Sequence, residues 1–221
     1  MKSSYTIPIA IIIGGIIVAI AMYVSIPKTP STEGGNPALV RPVSASDHIL
    51  GNPAAPVTII EYSDFDCTYC KGFDDTLHQI IATSGAGGKV AWVYREFPLI
   101  EIHPNAMSNA RAAECVASVA GNDAFWSFKT VLFAHQPIDP TQYGVYAKEA
   151  GIADTAFASC FSTASTTLDA RIMADRENAL LMGAQGTPFS VIVAAGKAPV
   201  LMTGGYSYDA AKQLIDKALG N

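Results

Sequence analysis

The 221-residue chain has few charged side chains, and no stretch of it concentrates lysine or arginine. Charged residues make up 15% of the chain, and the formal net charge is -5. A protein that binds the phosphate backbone of nucleic acids needs a dense basic face. The composition therefore excludes nucleic acid as a partner.

Cysteine is also scarce: there are four in the chain, too few to hold a protein of this length together as a disulfide scaffold. Two of them form a CxxC motif, Cys67 and Cys70, whereas Cys115 and Cys160 stand alone. The sequence has no second CxxC and no HxxxH, although a structural zinc site needs about four ligands. We therefore expect redox chemistry at Cys67 and Cys70, with no metal and no cofactor.

Charge is absent from Ile7 to Ile26, a run about as long as the helix that crosses bilayer hydrocarbon. Lys2 and the amino group are the only charges before it, which predicts a cytoplasmic N-terminus and an external remainder. We predict a membrane anchor over 1–26, with a cleaved signal peptide as the alternative, because Ala19-Ile20-Ala21 is similar to a cleavage site. Residues 27–46, rich in proline, predict a flexible linker.

The remainder, 47–221, shows strand and helix patterns in a definite order. A strand, a helix and a strand open it, four helical segments follow, and two strands and a helix close it. The predicted strands are 57–62, 89–95, 189–193 and 200–202, and the predicted helices are 67–84, 106–120, 125–133, 141–150, 163–182 and 208–218. This order predicts an α/β domain interrupted by helices.

Six short motifs in this order resemble the DsbA group of the thioredoxin superfamily. They are EYSDFDCTYC at 61–70, YREFPL at 94–99, IHPNA at 102–106, AAEC at 112–115, FWSFKTVLFAHQ at 125–136 and GTPF at 186–189. The resemblance implies a thioredoxin fold over 47–221 with a helical insertion at about 103–182. It also implies that the protein is a protein disulfide oxidoreductase.

Cys67 follows a strand and opens a helix, where free backbone N–H groups and the helix dipole stabilise a thiolate. We therefore predict that Cys67 is the reactive cysteine and that Cys70 is its internal partner. Thr68 and Tyr69 stand between them, where the strongest oxidases of the family carry Pro and His. With Asp64 and Asp66 also nearby, we predict an oxidant milder than those members.

The resemblance assigns roles to further residues. Pro188 matches the cis-proline loop that lies against the CxxC motif, and Thr187 offers backbone groups to an extended substrate. Glu61 matches a buried acid that moves protons for the inner cysteine, although a strand-end carboxylate in an ion pair is the alternative. For Cys115 and Cys160 the resemblance implies a structural disulfide, and two reduced core thiols are the alternative.

The function that the resemblance implies is the introduction of disulfide bonds into translocated, cysteine-containing proteins. Re-oxidation would come from a quinone-linked membrane partner of the DsbB or vitamin K epoxide reductase (VKOR) kind. We expect an extracytoplasmic, membrane-anchored monomer, because the short linker cannot supply the dimerisation domain typical of isomerases. Two alternatives stay open: a disulfide reductase or isomerase, and a non-catalytic metal-binding or interaction module.

Overall fold

The structure is a computed structural model that describes residues 35–163 and 165–220. The predicted anchor over Ile7 to Ile26 and the first part of the predicted linker lie outside the described residues. Within the described ranges, no helix combines the length and the apolar character needed to cross a membrane.

The described chain forms five strands and seven helices in the order βαβ, helices, ββα, preceded by a short extra strand. The strands are β1 (His48–Leu50), β2 (Val57–Ser63), β3 (Val90–Glu96), β4 (Phe189–Ala194) and β5 (Val200–Thr203). The helices are α1 (Thr68–Thr83), α2 (Ala106–Ala120), α3 (Asn122–Ala134), α4 (Tyr143–Glu149), α5 (Asp154–Thr163), α6 (Ser165–Leu181) and α7 (Tyr208–Leu219).

The strands form one sheet in the order β1-β3-β2-β4-β5. The central strands β2 and β3 are parallel, with Glu61 opposite Tyr94, and α1 connects them. The other three pairs are antiparallel, and β4 places Ser190 opposite Glu61. The sheet thus brings the carboxyl end of β2, where the CxxC motif begins, next to the amino end of β4, where Pro188 precedes the strand.

Both faces of the sheet are buried, which explains why β2 and β3 are apolar along most of their length. One face packs against α1, α7 and the helical insertion through Ile59, Trp92 and Ile192. The other packs against α6 through Ile60 and Val93. The apolar contacts on this second face also hold the loop after α6, which leads into Pro188.

Two elements were missing from the sequence prediction. Strand β1 has three residues, too few for an alternating pattern, and it pairs only with the edge of β3. Helix α5 lies between the predicted helices 141–150 and 163–182, where the sequence pattern predicts no element. Its local apolar pattern is weak, and the helix is held in the insertion by a contact between Phe157 and Phe128.

Residues 35–46, expected to belong to the flexible linker, instead pack on the domain as a strap. The Asn178 side chain accepts a hydrogen bond from the Arg41 amide at 3.0 Å and donates one to the Leu39 carbonyl at 2.8 Å. The buried Arg95 guanidinium donates to the carbonyls of Arg41 and Pro42 and pairs with Asp47. This part of the linker prediction is wrong, because buried polar groups of the domain take their partners from the strap.

Candidate active site

Cys67 is the N-cap of α1, with extended backbone (φ -77°, ψ 119°). The chain reaches it through a turn in which the Asp64 carboxylate accepts a hydrogen bond from the Asp66 amide at 2.8 Å. The first backbone N–H groups of α1 have no partner within the helix, so they are free to act on the sulfur. Cys67 Sγ also lies 3.4 Å from the Thr187 carbonyl oxygen, across the cleft.

These surroundings lower the pKa of the Cys67 thiol to about 5. The largest cause is the hydrogen bond from the Cys70 thiol, and burial opposes it. Thr187 and the backbone amides of Tyr69 and Cys70 lower the pKa further. Cys67 is therefore a thiolate at neutral pH when the pair is reduced.

Cys70 has the opposite environment. It lies one turn into α1, is completely buried and carries a free thiol, as does Cys67. Burial is the largest cause that raises the Cys70 pKa well above its ordinary value, and the neighbouring Cys67 and Glu61 raise it as well. The pair therefore combines a mostly buried thiolate at the wall of an open cleft with an internal thiol that holds its proton.

The cleft beside Cys67 has a volume of about 490 Å³ and is open to solvent. Thr68, Tyr69, Ile102, His103 and Thr187 line it, and the side chains of Tyr69 and Ile102 are mostly exposed. The Thr187–Pro188 peptide bond is cis, and Pro188 leads directly into β4. The structure thus brings the predicted Thr187 and Pro188 to the predicted cysteine pair.

Glu61 lies under the cysteine pair, 1% exposed, on the face of β2 that α1 covers. Its Oε2 accepts a hydrogen bond from Trp92 Nε1 at 3.0 Å. Burial raises its pKa to about 7, while the positive charge of Lys129 works in the other direction. Glu61 is thus a buried acid, and its hydrogen-bond partner is the Trp92 ring nitrogen rather than a cation.

Lys129 is a fully buried cation that the helical insertion contributes through α3. Its ammonium group pairs with Asp74 of α1 and lies 4.2 Å from the centre of the Trp92 ring. Trp92 thus contacts both groups, and the positive charge of Lys129 lowers the Glu61 pKa. No spacing in the sequence indicates this role for Lys129, because its partners come from separate elements.

The two aspartates before Cys67 are directed at other partners. Asp64 accepts hydrogen bonds from the Leu99 amide at 2.7 Å and from His103 Nδ1 at 2.9 Å. Asp66 accepts one from Asn109 at 2.8 Å. Neither carboxylate is among the main influences on the Cys67 pKa, and Thr68 is not among them either.

Gln136 is a second contribution of the insertion that the sequence did not reveal. Its Nε2 donates to the carbonyl oxygens of Phe65 at 2.6 Å and of Cys67 at 3.2 Å. The amide therefore holds the loop that carries the reactive sulfur. It lies at the end of a motif that the family resemblance includes, but its position in sequence indicates no role.

Cys115 of α2 and Cys160 of α5 are joined by a disulfide. The bond closes a 45-residue separation within the insertion. No group of three or more His, Cys, Asp or Glu residues in the described ranges is arranged to hold a metal ion. Two of the four cysteines are thus used in a cross-link, and the other two are free.

Comparison with known proteins decides the family, because the family described as Thioredoxin matches residues 44–217. The chain belongs to the thioredoxin family. Two solved structures of the family have the same fold with a TM-score of 0.68. BdbD from Bacillus subtilis is 25% identical and covers 82% of this chain and 97% of its own. The thiol-disulfide exchange protein α-DsbA2 from Wolbachia pipientis is 19% identical and covers 79% of this chain and 88% of its own.

These similarities confirm the predicted resemblance of this thioredoxin-family chain to DsbA-like protein disulfide oxidoreductases. They also confirm the α/β thioredoxin fold with a helical insertion.

Curated relatives match a shorter part of their own length. A Na(+)/H(+) antiporter NhaA 1 from Mycolicibacterium gilvum is 34% identical over 152 residues, which is 68% of this chain and 24% of the antiporter. An NhaA 3 from Salinispora tropica is 37% identical over 101 residues, 44% of this chain and 15% of the antiporter. The chain thus spans about a quarter or less of these relatives, and their antiporter names describe much longer proteins.

Proposed function

We propose that this protein introduces disulfide bonds into translocated, cysteine-containing proteins outside the cytoplasm, by thiol-disulfide exchange at Cys67 and Cys70. The observation that carries the proposal is the pairing of a low-pKa sulfur, at a helix start and lining an open cleft, with a fully buried thiol one turn further on. The cleft beside Thr187 and Pro188 gives an extended substrate a place next to that sulfur.

The exchange proceeds in two steps from the oxidised pair. A substrate thiolate attacks Cys67 Sγ, the bond between Cys67 and Cys70 breaks, and its electron pair goes to Cys70, which takes up a proton. A second substrate thiolate then attacks the substrate sulfur of the mixed disulfide and releases Cys67 as a thiolate. The substrate gains one disulfide, and the enzyme is left with two reduced cysteines.

The low Cys67 pKa supports the oxidising direction, because a stable thiolate is a good leaving group in the second step. A value of about 5 lies between those of thioredoxin, about 7, and DsbA, about 3.5. It fits an oxidant milder than the strongest members of the family. The disulfide between Cys115 and Cys160 supports an oxidising compartment, since such bonds persist there.

A catalytic oxidant must be re-oxidised after each turnover. We propose a quinone-linked membrane partner of the DsbB or VKOR kind, and a membrane anchor over residues 7–26 that keeps this monomeric enzyme close to that partner. On this proposal Thr187 binds the substrate backbone, and Glu61 exchanges protons with Cys70. Thr68 and Tyr69 shape the rim of the cleft.

Trapping of mixed disulfides tests the proposal directly. Replacement of Cys70 by alanine leaves Cys67 able to attack but unable to release its partner, so secreted proteins should accumulate as covalent adducts. Cys67→Ala is the matched control, because its remaining Cys70 is buried and should trap nothing. If the two variants trap equally, or if metal analysis finds zinc or copper bound by the cysteine pair, the exchange function is wrong.

The reduction potential separates oxidase from reductase. Equilibration with glutathione should give a value above about -200 mV, whereas a value near that of thioredoxin, about -270 mV, would identify a reductase. Refolding of a substrate with scrambled disulfides would reveal an isomerase.

A further inference from the structure

Ser63, the last residue of β2, carries a hydroxyl that has no role in the two exchange steps described above. The side chain is completely buried, and its Oγ makes no hydrogen bond of ordinary geometry to any described residue. An unpaired buried polar group is destabilising and is rare in native proteins. A position that retains such a group therefore calls for an explanation.

The hydroxyl lies among the groups that surround the inner cysteine. Residues two apart on a strand point to the same side, so Ser63 and Glu61 share the face that α1 covers, and the β2–β3 register adds Tyr94. Burial raises the pKa values of Glu61, Cys70 and Tyr94, and the Ser63 hydroxyl offsets part of the rise in each. The Ser63 hydroxyl is thus a near neighbour of all three groups on this face of the sheet.

Glu61 offers a matching unpaired atom. Its Oε2 is occupied by Trp92, but its Oε1 is buried and has no partner among the described residues. A serine hydroxyl can donate and accept at the same time, and it can turn between staggered positions. The site therefore has a rotatable donor and acceptor between a thiol that must lose or gain a proton and an acid with a free oxygen.

We propose that Ser63 relays the proton between Cys70 Sγ and Glu61 Oε1 during thiol-disulfide exchange. The inference rests on the proposed exchange function. When the Cys67–Cys70 bond breaks, the Cys70 thiolate takes the Ser63 hydroxyl proton, and Ser63 takes the proton of Glu61. Ser63 is unchanged, Cys70 becomes a thiol, and Glu61 becomes a carboxylate. Re-oxidation runs the same transfers in reverse.

Other ionisable groups act on the acid at the end of this relay. Lys129 of α3 favours the Glu61 carboxylate, whereas Asp74 of α1 disfavours it. Tyr94 of β3 and Cys67 are further titratable groups beside Cys70. The relay thus connects Cys70 to an acid on which one positive and one negative neighbour act in opposite directions.

The test is the rate at which Cys70 resolves a preformed mixed disulfide between Cys67 and glutathione, measured from pH 5 to 9. Ser63→Ala should slow this step about 100-fold near pH 7, which is the lower end of the rate enhancement typical of general acid–base catalysis. Ser63→Thr, which restores the hydroxyl, should recover most of the rate. Alkylation of Cys67 by iodoacetamide should be unchanged in both variants, since that reaction needs no proton at Cys70.

Ser190→Ala is the matched control. Ser190 is also completely buried, its Oγ is also unpaired, and it lies opposite Glu61 on β4, but it is not among the main influences on Cys70. Its loss should leave the rate within about twofold. A Ser63→Ala variant as fast as wild type, or an equal slowing in Ser190→Ala, would overturn the relay while leaving the exchange function intact.

The unmodified protein gives a second measurement that does not depend on how a variant folds. Resolution of the mixed disulfide should be slower in D2O than in H2O, and Cys67 alkylation should not. Equal rates in the two solvents would also overturn the relay. A wild-type protein that forms no mixed disulfide would instead contradict the exchange function itself.

Discussion

Replacement of Glu61 by glutamine should stabilise the protein at alkaline pH and have little effect in acid. The side chain is 1% exposed, and its folded-state pKa is raised from 4.5 to about 7 by burial. The folded protein therefore holds a proton on Glu61 that the unfolded chain releases above pH 4.5. As the pH rises from 4.5 to 7, this difference removes stability, and the loss is complete above pH 7.

A rise from 4.5 to about 7 corresponds to about 3 kcal/mol. Glutamine has a similar shape, cannot ionise, and keeps a carbonyl oxygen for the hydrogen bond from Trp92. Wild type and Glu61→Gln should thus unfold with similar free energies at pH 4.5. At pH 8.5 the variant should be more stable by about 3 kcal/mol.

Urea denaturation of both proteins, with the Cys67–Cys70 pair reduced, measures the difference. The Cys67 pKa is lowered, so its thiolate adds stability as the pH rises above about 5, but this contribution is common to the two proteins and cancels. The reasoning is refuted if Glu61→Gln is no more stable than wild type at pH 8.5, or if its advantage is the same at both pH values.

Three further predictions concern other parts of the site and its support. The rate of Cys67 alkylation in the reduced protein should rise with a midpoint near pH 5 and then level off, as followed by mass spectrometry; a midpoint near 8.5 would contradict the low pKa. Lys129→Met should destabilise the fold by roughly 3–5 kcal/mol because it leaves the Asp74 charge buried without its partner, and adding Asp74→Asn should recover much of that loss in urea denaturation. Replacement of both Cys115 and Cys160 by alanine should cost roughly 4 kcal/mol or less, and an unchanged denaturation midpoint would contradict a structural role for the bond.

Local pattern was sufficient for the main elements of the fold. The β-branched run of β2 and the periodicity of α1 and α7 appear within each segment, because these elements bury continuous apolar surfaces. Strand β1 is different, because its three residues become a strand only by pairing with β3. The strap over 35–46 is also different, because its prolines and polar residues indicate a linker until Arg95 and Asn178 supply partners.

The residues of the candidate site likewise differ in whether a local sequence pattern indicates them. Cys67 and Cys70 belong to one short motif, whereas Pro188 is assigned to the same site only through the family resemblance. Gln136 and Lys129 reach the site from the insertion, and no spacing in the sequence relates either residue to the cysteines. Contacts between elements that lie some 60 residues apart leave no local signature, so only the folded arrangement could reveal these two.

The strap has a consequence for where the folding unit begins. A chain shortened to start at Asp47 would keep every predicted strand and helix, but the Arg95 guanidinium would lose the carbonyl oxygens of Arg41 and Pro42, and Asn178 would lose both of its backbone partners. The segment that looks like a spacer in the sequence is thus an integral part of the domain's buried hydrogen bonding, and a stable fragment has to include it.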